Sequence, residues 1–184
     1  MIPTFLWGWS SSARTSPLRR QLETLQHGRR FKMPTICEIP DQTLPLVVAG
    51  ILNKIFEANG KPNVHIIFLH PNFRMLDLKT VTENFRTIVR AASFHSKTFI
   101  VFCDATGSFP NNGTTVLNTE QVNNLLRWVT TQYPLNAFYI DLQQIILHRD
   151  WTNHFNLRAP GQVKLGQTIV RALSGTPKEV FEYG

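Results

Sequence analysis

The sequence predicts an α/β fold: a three-layer sandwich in which a central parallel sheet of five strands carries helices on both faces. Three observations predict it. Strand-like and helix-like segments alternate five times along the 184 residues, the order expected of parallel strands joined by helical crossovers. Two of the strand-like segments, Val64 to Leu69 and Thr98 to Cys103, are nearly continuous apolar runs, as strands covered on both faces are. Neither an internal repeat nor a low-complexity linker interrupts the chain, so a single domain over residues 1–175 is expected, with 176–184 as a C-terminal tail.

Each element has a local reason. Thr4 to Trp9 is a short apolar run that Ser10-Ser11-Ser12 turns away from. Ser16 is placed to cap a helix whose first turn holds Pro17, and Leu18, Leu22 and Leu25 follow at helical spacing. Gly28 is the expected stop. Thr35 to Ile39 reads as a brief strand between Pro34 and Pro40. Leu46 to Ala58 is apolar on one face and ends at Asn59-Gly60, so it reads as a helix. After Val64 to Leu69, His70-Pro71-Asn72-Phe73 breaks the strand. Leu78 to Ala92 is a helix with Val81, Phe85, Ile88 and Val89 inward, and Arg86 and Arg90 one turn apart. Glu120 to Thr131 turns Val122, Leu125, Leu126 and Val129 inward. Ala137 to Asp141 is the last strand. Pro160 to Leu173 closes the domain as a helix, with Val163, Leu165, Ile169, Val170 and Leu173 as its apolar set.

Composition narrows the class. Hydrophobic residues make up 42% of the chain and 13 are Phe, enough for a packed core. No apolar run reaches the roughly 20 residues that span a bilayer, and MIPTFLWGW has no basic leader followed by a long apolar stretch. A cytoplasmic protein with no membrane contact is expected. Cys37 and Cys103 each lie inside an apolar run, which predicts two buried, reduced thiols. Asn112-Gly113-Thr114 is a glycosylation sequon that matters only on export. No zinc-ligand spacing occurs, and neither a metal nor a cofactor is expected. The formal net charge is +7, from 19 basic against 12 acidic residues. Its densest part holds Arg14, Arg19, Arg20, Arg29, Arg30 and Lys32 against Glu23.

Ligands of such a sheet gather outside the carboxyl ends of its strands. The loops there hold Ser10, Asn72, Arg74, His148, Arg149, Asp150, Asn153, His154, Asn156 and Arg158. The first reads Gly8-Trp9-Ser10, the third-strand loop His70-Pro71-Asn72-Phe73, and the last Asn153-His154-Phe155-Asn156 with Gly161 at the helix start. In this layout the chain resembles the SGNH (GDSL-type) hydrolases. That family places a nucleophilic Ser in a Gly-Asp-Ser turn after the first strand, Gly-x-Asn-Asp after the third, and Asp-x-x-His before the last helix. The resemblance implies a flavodoxin-like strand order. It also puts Ser10, Asn72, Asn153 and Asn156 at the family's catalytic positions, with amides where the Asp and His belong.

An amide cannot take the serine's proton near neutral pH, nor steady an imidazolium. The positions therefore read as vestigial, and the domain as a pseudo-hydrolase rather than an enzyme. A hydrolase frame with such a basic surface further resembles the OSK-domain family, the C-terminal domains of the germ-plasm organiser Oskar. That likeness implies binding of single-stranded mRNA and assembly of germ-plasm ribonucleoprotein granules with other granule proteins. Arg14, Arg19, Arg20, Arg29, Arg30, Lys32, Arg74, Arg149 and Arg158 are the expected phosphate contacts, with Trp9 and Trp151 stacking on bases. Two alternatives stand beside it. One is an active esterase or acyl hydrolase in which Ser10 is served by His154 or His148, oriented by Asp150. The other is a protein-interaction scaffold without RNA.

Overall fold

In a computed structural model of the chain, the described residues are 1–7, 16–27, 30–37, 44–68, 78–94, 98–103, 119–140, 148–150 and 158–175. Strands β1 (Thr4–Trp7), β2 (Thr35–Cys37), β3 (Asn63–Phe68), β4 (Thr98–Cys103) and β5 (Ala137–Ile140) alternate with helices α1 (Pro17–His27), α2 (Leu44–Glu57), α3 (Leu78–Phe94), α4 (Thr119–Gln132) and α5 (Ala159–Ser174). A 3-10 turn, His148–Asp150, precedes α5. Every strand pair is parallel, and the order across the sheet is β2-β1-β3-β4-β5.

The layering follows from side-chain alternation along the strands. Leu6, Val64, Ile66 and Ile140 point to one face and pack with Leu18, Leu22 and Leu25 of α1 and Leu165, Ile169 and Leu173 of α5. Trp7, Ile67 and Ala137 point to the other, against Val47, Ile51 and Ile55 of α2, Val81, Phe85, Ile88 and Val89 of α3, and Leu126 and Val129 of α4. Helices on both faces of a parallel sheet are what the alternation of elements predicts.

Several bounds differ from the expected ones for identifiable reasons. α2 starts at Leu44 rather than Leu46 because Pro45 is tolerated in a first turn, where its missing N–H has no partner to lose. It ends where expected: Asn59 and Gly60 take φ of 50° and 78°, the left-handed conformation that Asn tolerates and Gly adopts freely. α3 runs on to Phe94, whose ring is 87% exposed. β1 ends at Trp7, and Trp9 lies outside the described residues, as do Gly28 and the tail 176–184. Ser16 caps α1 as expected, its Oγ accepting the Arg19 N–H at 3.2 Å. Cys37 departs from expectation: it is partly rather than fully buried, because β2 is an edge strand with β1 as its one neighbour in the sheet.

α1 and α5 pack against each other at a point set by a glycine. A Cβ on Gly166 would stand 2.5 Å from the Cβ of Gln21 and 3.4 Å from the Leu18 carbonyl. The Gln21 Cβ is fixed to the backbone, so any side chain at 166 must push the helices apart. Gly166→Ala is expected to lower stability by about 1–3 kcal/mol, the usual effect of overpacking. The urea unfolding midpoint of the variant measures it.

Candidate functional site

Parallel pairing brings all five strand exits to one edge of the sheet. Trp7 is in register with Cys37 and Ile67, Phe68 with Cys103, and Cys103 with Ile140. The chain therefore leaves the sheet towards residues 8–15, 38–43, 69–77, 104–118 and 141–147 from neighbouring points. Ser10, Trp9 and Arg14 belong to the first of these segments and Asn72 and Arg74 to the third. Trp151, Asn153, His154 and Asn156 belong to 151–157. All of these, with Arg29, lie outside the described residues. What is described is the frame that receives the segments.

Two parts of that frame meet. The segment carrying Ser10 enters α1, and the segment carrying His154 enters α5. The Leu18 N–H in the first turn of α1 donates to Gln162 Oε1 in the first turn of α5, at 3.4 Å. The carbonyl of Asp150 accepts the Arg158 N–H at 2.6 Å, which ties together the two ends of segment 151–157. The Asp150 side chain, 4% exposed, accepts a hydrogen bond from Lys164 Nζ at 2.8 Å. A carboxylate so buried would be costly without a cation beside it. Lys164 reaches it from one turn inside α5, so the pair fastens the 3-10 turn to the helix. His148 lies in that turn.

The arginines of the sequence reading are spread over this frame. Arg19 is half-buried and Arg20 exposed in the first turn of α1. Arg149 and Arg158 are exposed on either side of segment 151–157. Arg30 and Lys32 lie at the opposite, amino edge of the sheet. There the Arg30 carbonyl accepts the Ile2 N–H and the Lys32 N–H donates to the Ile2 carbonyl, each at 2.8 Å. The Arg30 guanidinium rests over Phe31, 5.2 Å from the ring centre. Among the described residues no group of three His, Cys, Asp or Glu side chains is placed to hold a metal. No described helix is long and apolar enough to cross a membrane.

His65, by sequence one more residue of an apolar run, belongs to a buried polar chain that the run does not signal as a whole. The Trp7 Nε1–H donates to His65 Nδ1 at 3.1 Å. His65 Nε2 is 2.8 Å from Asn63 Oδ1. Asn63 Nδ2 donates to the Lys61 carbonyl and to Thr98 Oγ1, both at 2.9 Å. The amide's donors are thus spent and its oxygen must accept, so the proton of His65 sits on Nε2 and the ring is neutral. A legible signal existed: Asn63 and His65 are two apart and share a strand face. With both ring nitrogens engaged deep in the sheet, His65 is not a base for Ser10.

Burial pushes the His65 imidazole down from 6.5 to about 3, and the nearby Lys54 charge adds to this. The interactions that favour the neutral ring are complete above pH 6.5 and are lost as pH falls from 6.5 towards 3. Stability should therefore drop by about 1.4 kcal/mol per pH unit through that window on account of this residue. Chemical denaturation between pH 7 and 4 checks it, with His65→Gln expected to remove this component of the slope.

No protein-family model matches the chain, and no curated protein sequence matches it significantly. Solved structures do share its fold. A member of the lipolytic protein G-D-S-L family from Veillonella parvula DSM 2008 superposes with a TM-score of 0.65 at 12% identity, over 95% of this chain and 100% of that one. Est24, a carbohydrate acetylesterase from Sinorhizobium meliloti, gives 0.61 at 13% identity, over 94% and 98%. A mutant of the esterase AlinE4 gives 0.54 at 15% identity, over 96% and 97%. The chain has an SGNH-hydrolase-like fold.

These likenesses correct the functional expectation. They reach the SGNH frame and do not show the nearer resemblance to the OSK family. The solved proteins that share the frame are a lipolytic G-D-S-L family member, a carbohydrate acetylesterase and an esterase, which favours the hydrolase alternative over an RNA-binding pseudoenzyme and over a non-enzyme. The choice between an emptied and a filled site turns on spacing. Asn153 and Asn156 fall on the family's Asp and His only if Asp-x-x-His is kept to the residue. One more residue of spacing gives Asp150-Trp151-Thr152-Asn153-His154, an acid and an imidazole in the required order.

Proposed function

We propose that this chain is a serine-type carboxylic-ester hydrolase. Ser10 is the nucleophile, His154 the general base and Asp150 the acidic partner of the imidazole. The observation that carries the reading is the junction of α1 and α5, where Leu18 N–H meets Gln162 Oε1. It brings the helix entered from the Ser10 segment alongside the helix entered from the His154 segment. A buried Asp150 held by Lys164 supports the same assignment, since a fixed anion is what an orienting partner needs. The esterase and lipolytic descriptions of the structural neighbours agree with it.

The chemistry runs in two halves. His154 takes the hydroxyl proton of Ser10 as Oγ attacks the ester carbonyl, and Asp150 stabilises the imidazolium that forms. The proton then passes to the leaving alcohol as the carbon–oxygen bond breaks, and water, activated by the same imidazole, releases the acid. The Asn72 side-chain amide, on a segment leaving the same sheet edge, is the donor assigned to the developing oxyanion.

With p-nitrophenyl acetate as substrate, Ser10→Ala and His154→Ala should each lower kcat/KM by about 10³-fold or more. His148→Ala should stay within a few-fold of the unaltered chain. Hydrolysis that survives Ser10→Ala undiminished would falsify the assignment.

A further inference from the structure

We infer that Trp7 and His65 are positioning residues that hold the chain where it leaves the sheet on its way to Ser10. Trp7 is the last residue of β1 and stands three positions ahead of Ser10. Its indole is buried, 3% exposed, on the α2–α3–α4 side of the sheet. A buried indole N–H needs an acceptor, and His65 Nδ1 supplies it at 3.1 Å.

The acceptor is itself over-determined. Phe5 stacks on the His65 ring with centroids 5.2 Å apart, and these two residues are register partners on adjacent strands. The ring's other nitrogen is committed to Asn63, and Asn63 to Lys61 and Thr98. The chain of bonds thus runs diagonally under the sheet, from the carboxyl end of β1 to the amino ends of β3 and β4. An apolar set of the same volume would fill that space without desolvating a histidine and an asparagine. What the polar chain adds is a single permitted orientation for each member. For Trp7 this fixes the rotamer of the last side chain of β1.

The kinetic part of this inference rests on the proposed hydrolase; the structural part does not. The experiment pairs both readouts in Trp7→Phe, which removes the N–H and keeps a ring, in His65→Leu, which removes the acceptor, and in His65→Gln, which can still accept and donate. Amide hydrogen exchange of the peptide covering residues 8–15 should quicken about tenfold in Trp7→Phe and His65→Leu, and stay near its original rate in His65→Gln. Peptides of α3 and α4 should exchange as before in all three. Ester hydrolysis should lose about tenfold in kcat with KM within twofold in the first two variants, and recover in His65→Gln. Unchanged exchange over 8–15, or a rise spread evenly over every peptide, overturns the positioning role. Selective exchange with no Ser10-dependent hydrolysis in the unaltered chain supports the anchor and overturns the enzyme assignment alone.

Discussion

Parallel pairing is the constraint from which the rest of this molecule follows. A strand that pairs in parallel with its neighbour cannot turn back on itself; it must cross over, and here each crossover is a helix. The order β2-β1-β3-β4-β5 sends the first crossover, α1, to one face and the next three, α2, α3 and α4, to the other. The sequence-adjacent β2 and β3 therefore flank β1 from opposite sides. The strand exits all face one edge, and they diverge beside β1. A crevice belongs at such a switch point, and the exit of β1 is where the candidate nucleophile leaves the sheet.

The sheet alone does not bring the helix entered from Ser10 to the helix entered from His154. Those helices, α1 and α5, come from the two ends of the chain, and their packing unites them. Gly166 lets α5 sit against Gln21 and Leu18 of α1, and the first turns of both helices then share a hydrogen bond through Gln162. Asp150 and Lys164 fasten the approach to α5 with a charge pair that is buried on the acidic side and open to solvent on the basic side. Small-residue contact, a backbone amide and an ion pair thus act on one junction. The proposed chemistry depends on that junction because general base catalysis needs hydrogen-bond reach.

The readable parts of the fold were those with strong periodicity. α3 and α4 fell within a residue or two of their expected bounds, because four inward apolar positions at helical spacing leave little choice. β4 was read to the residue, its apolar run bounded by turn chemistry. The candidate site was harder. Kept to three residues, the Asp-x-x-His spacing falls on Asn153 and Asn156; at four it falls on Asp150 and His154. A single residue of spacing decides between an emptied site and a filled one, and loops tolerate such insertions freely. The basic surface suits a polyanion, although charge speaks of partners in general and not of a particular one.

Composition, hydrophobic period and turn residues determined the α/β class, the run of elements and most of the core, because each is a local property that burial enforces residue by residue. They disclosed only that Asn63 and His65 share a strand face; the full Trp7–His65–Asn63–Thr98 chain draws on three strands and means nothing until those strands are paired in register. Nor could they disclose that Asp150 is buried against Lys164, or that Gly166 is the contact on which two distant helices close. Those were decided by tertiary structure, since a hydrogen bond, a desolvated ion pair and a steric contact are all relations between positions that only the folded chain brings within a few ångströms.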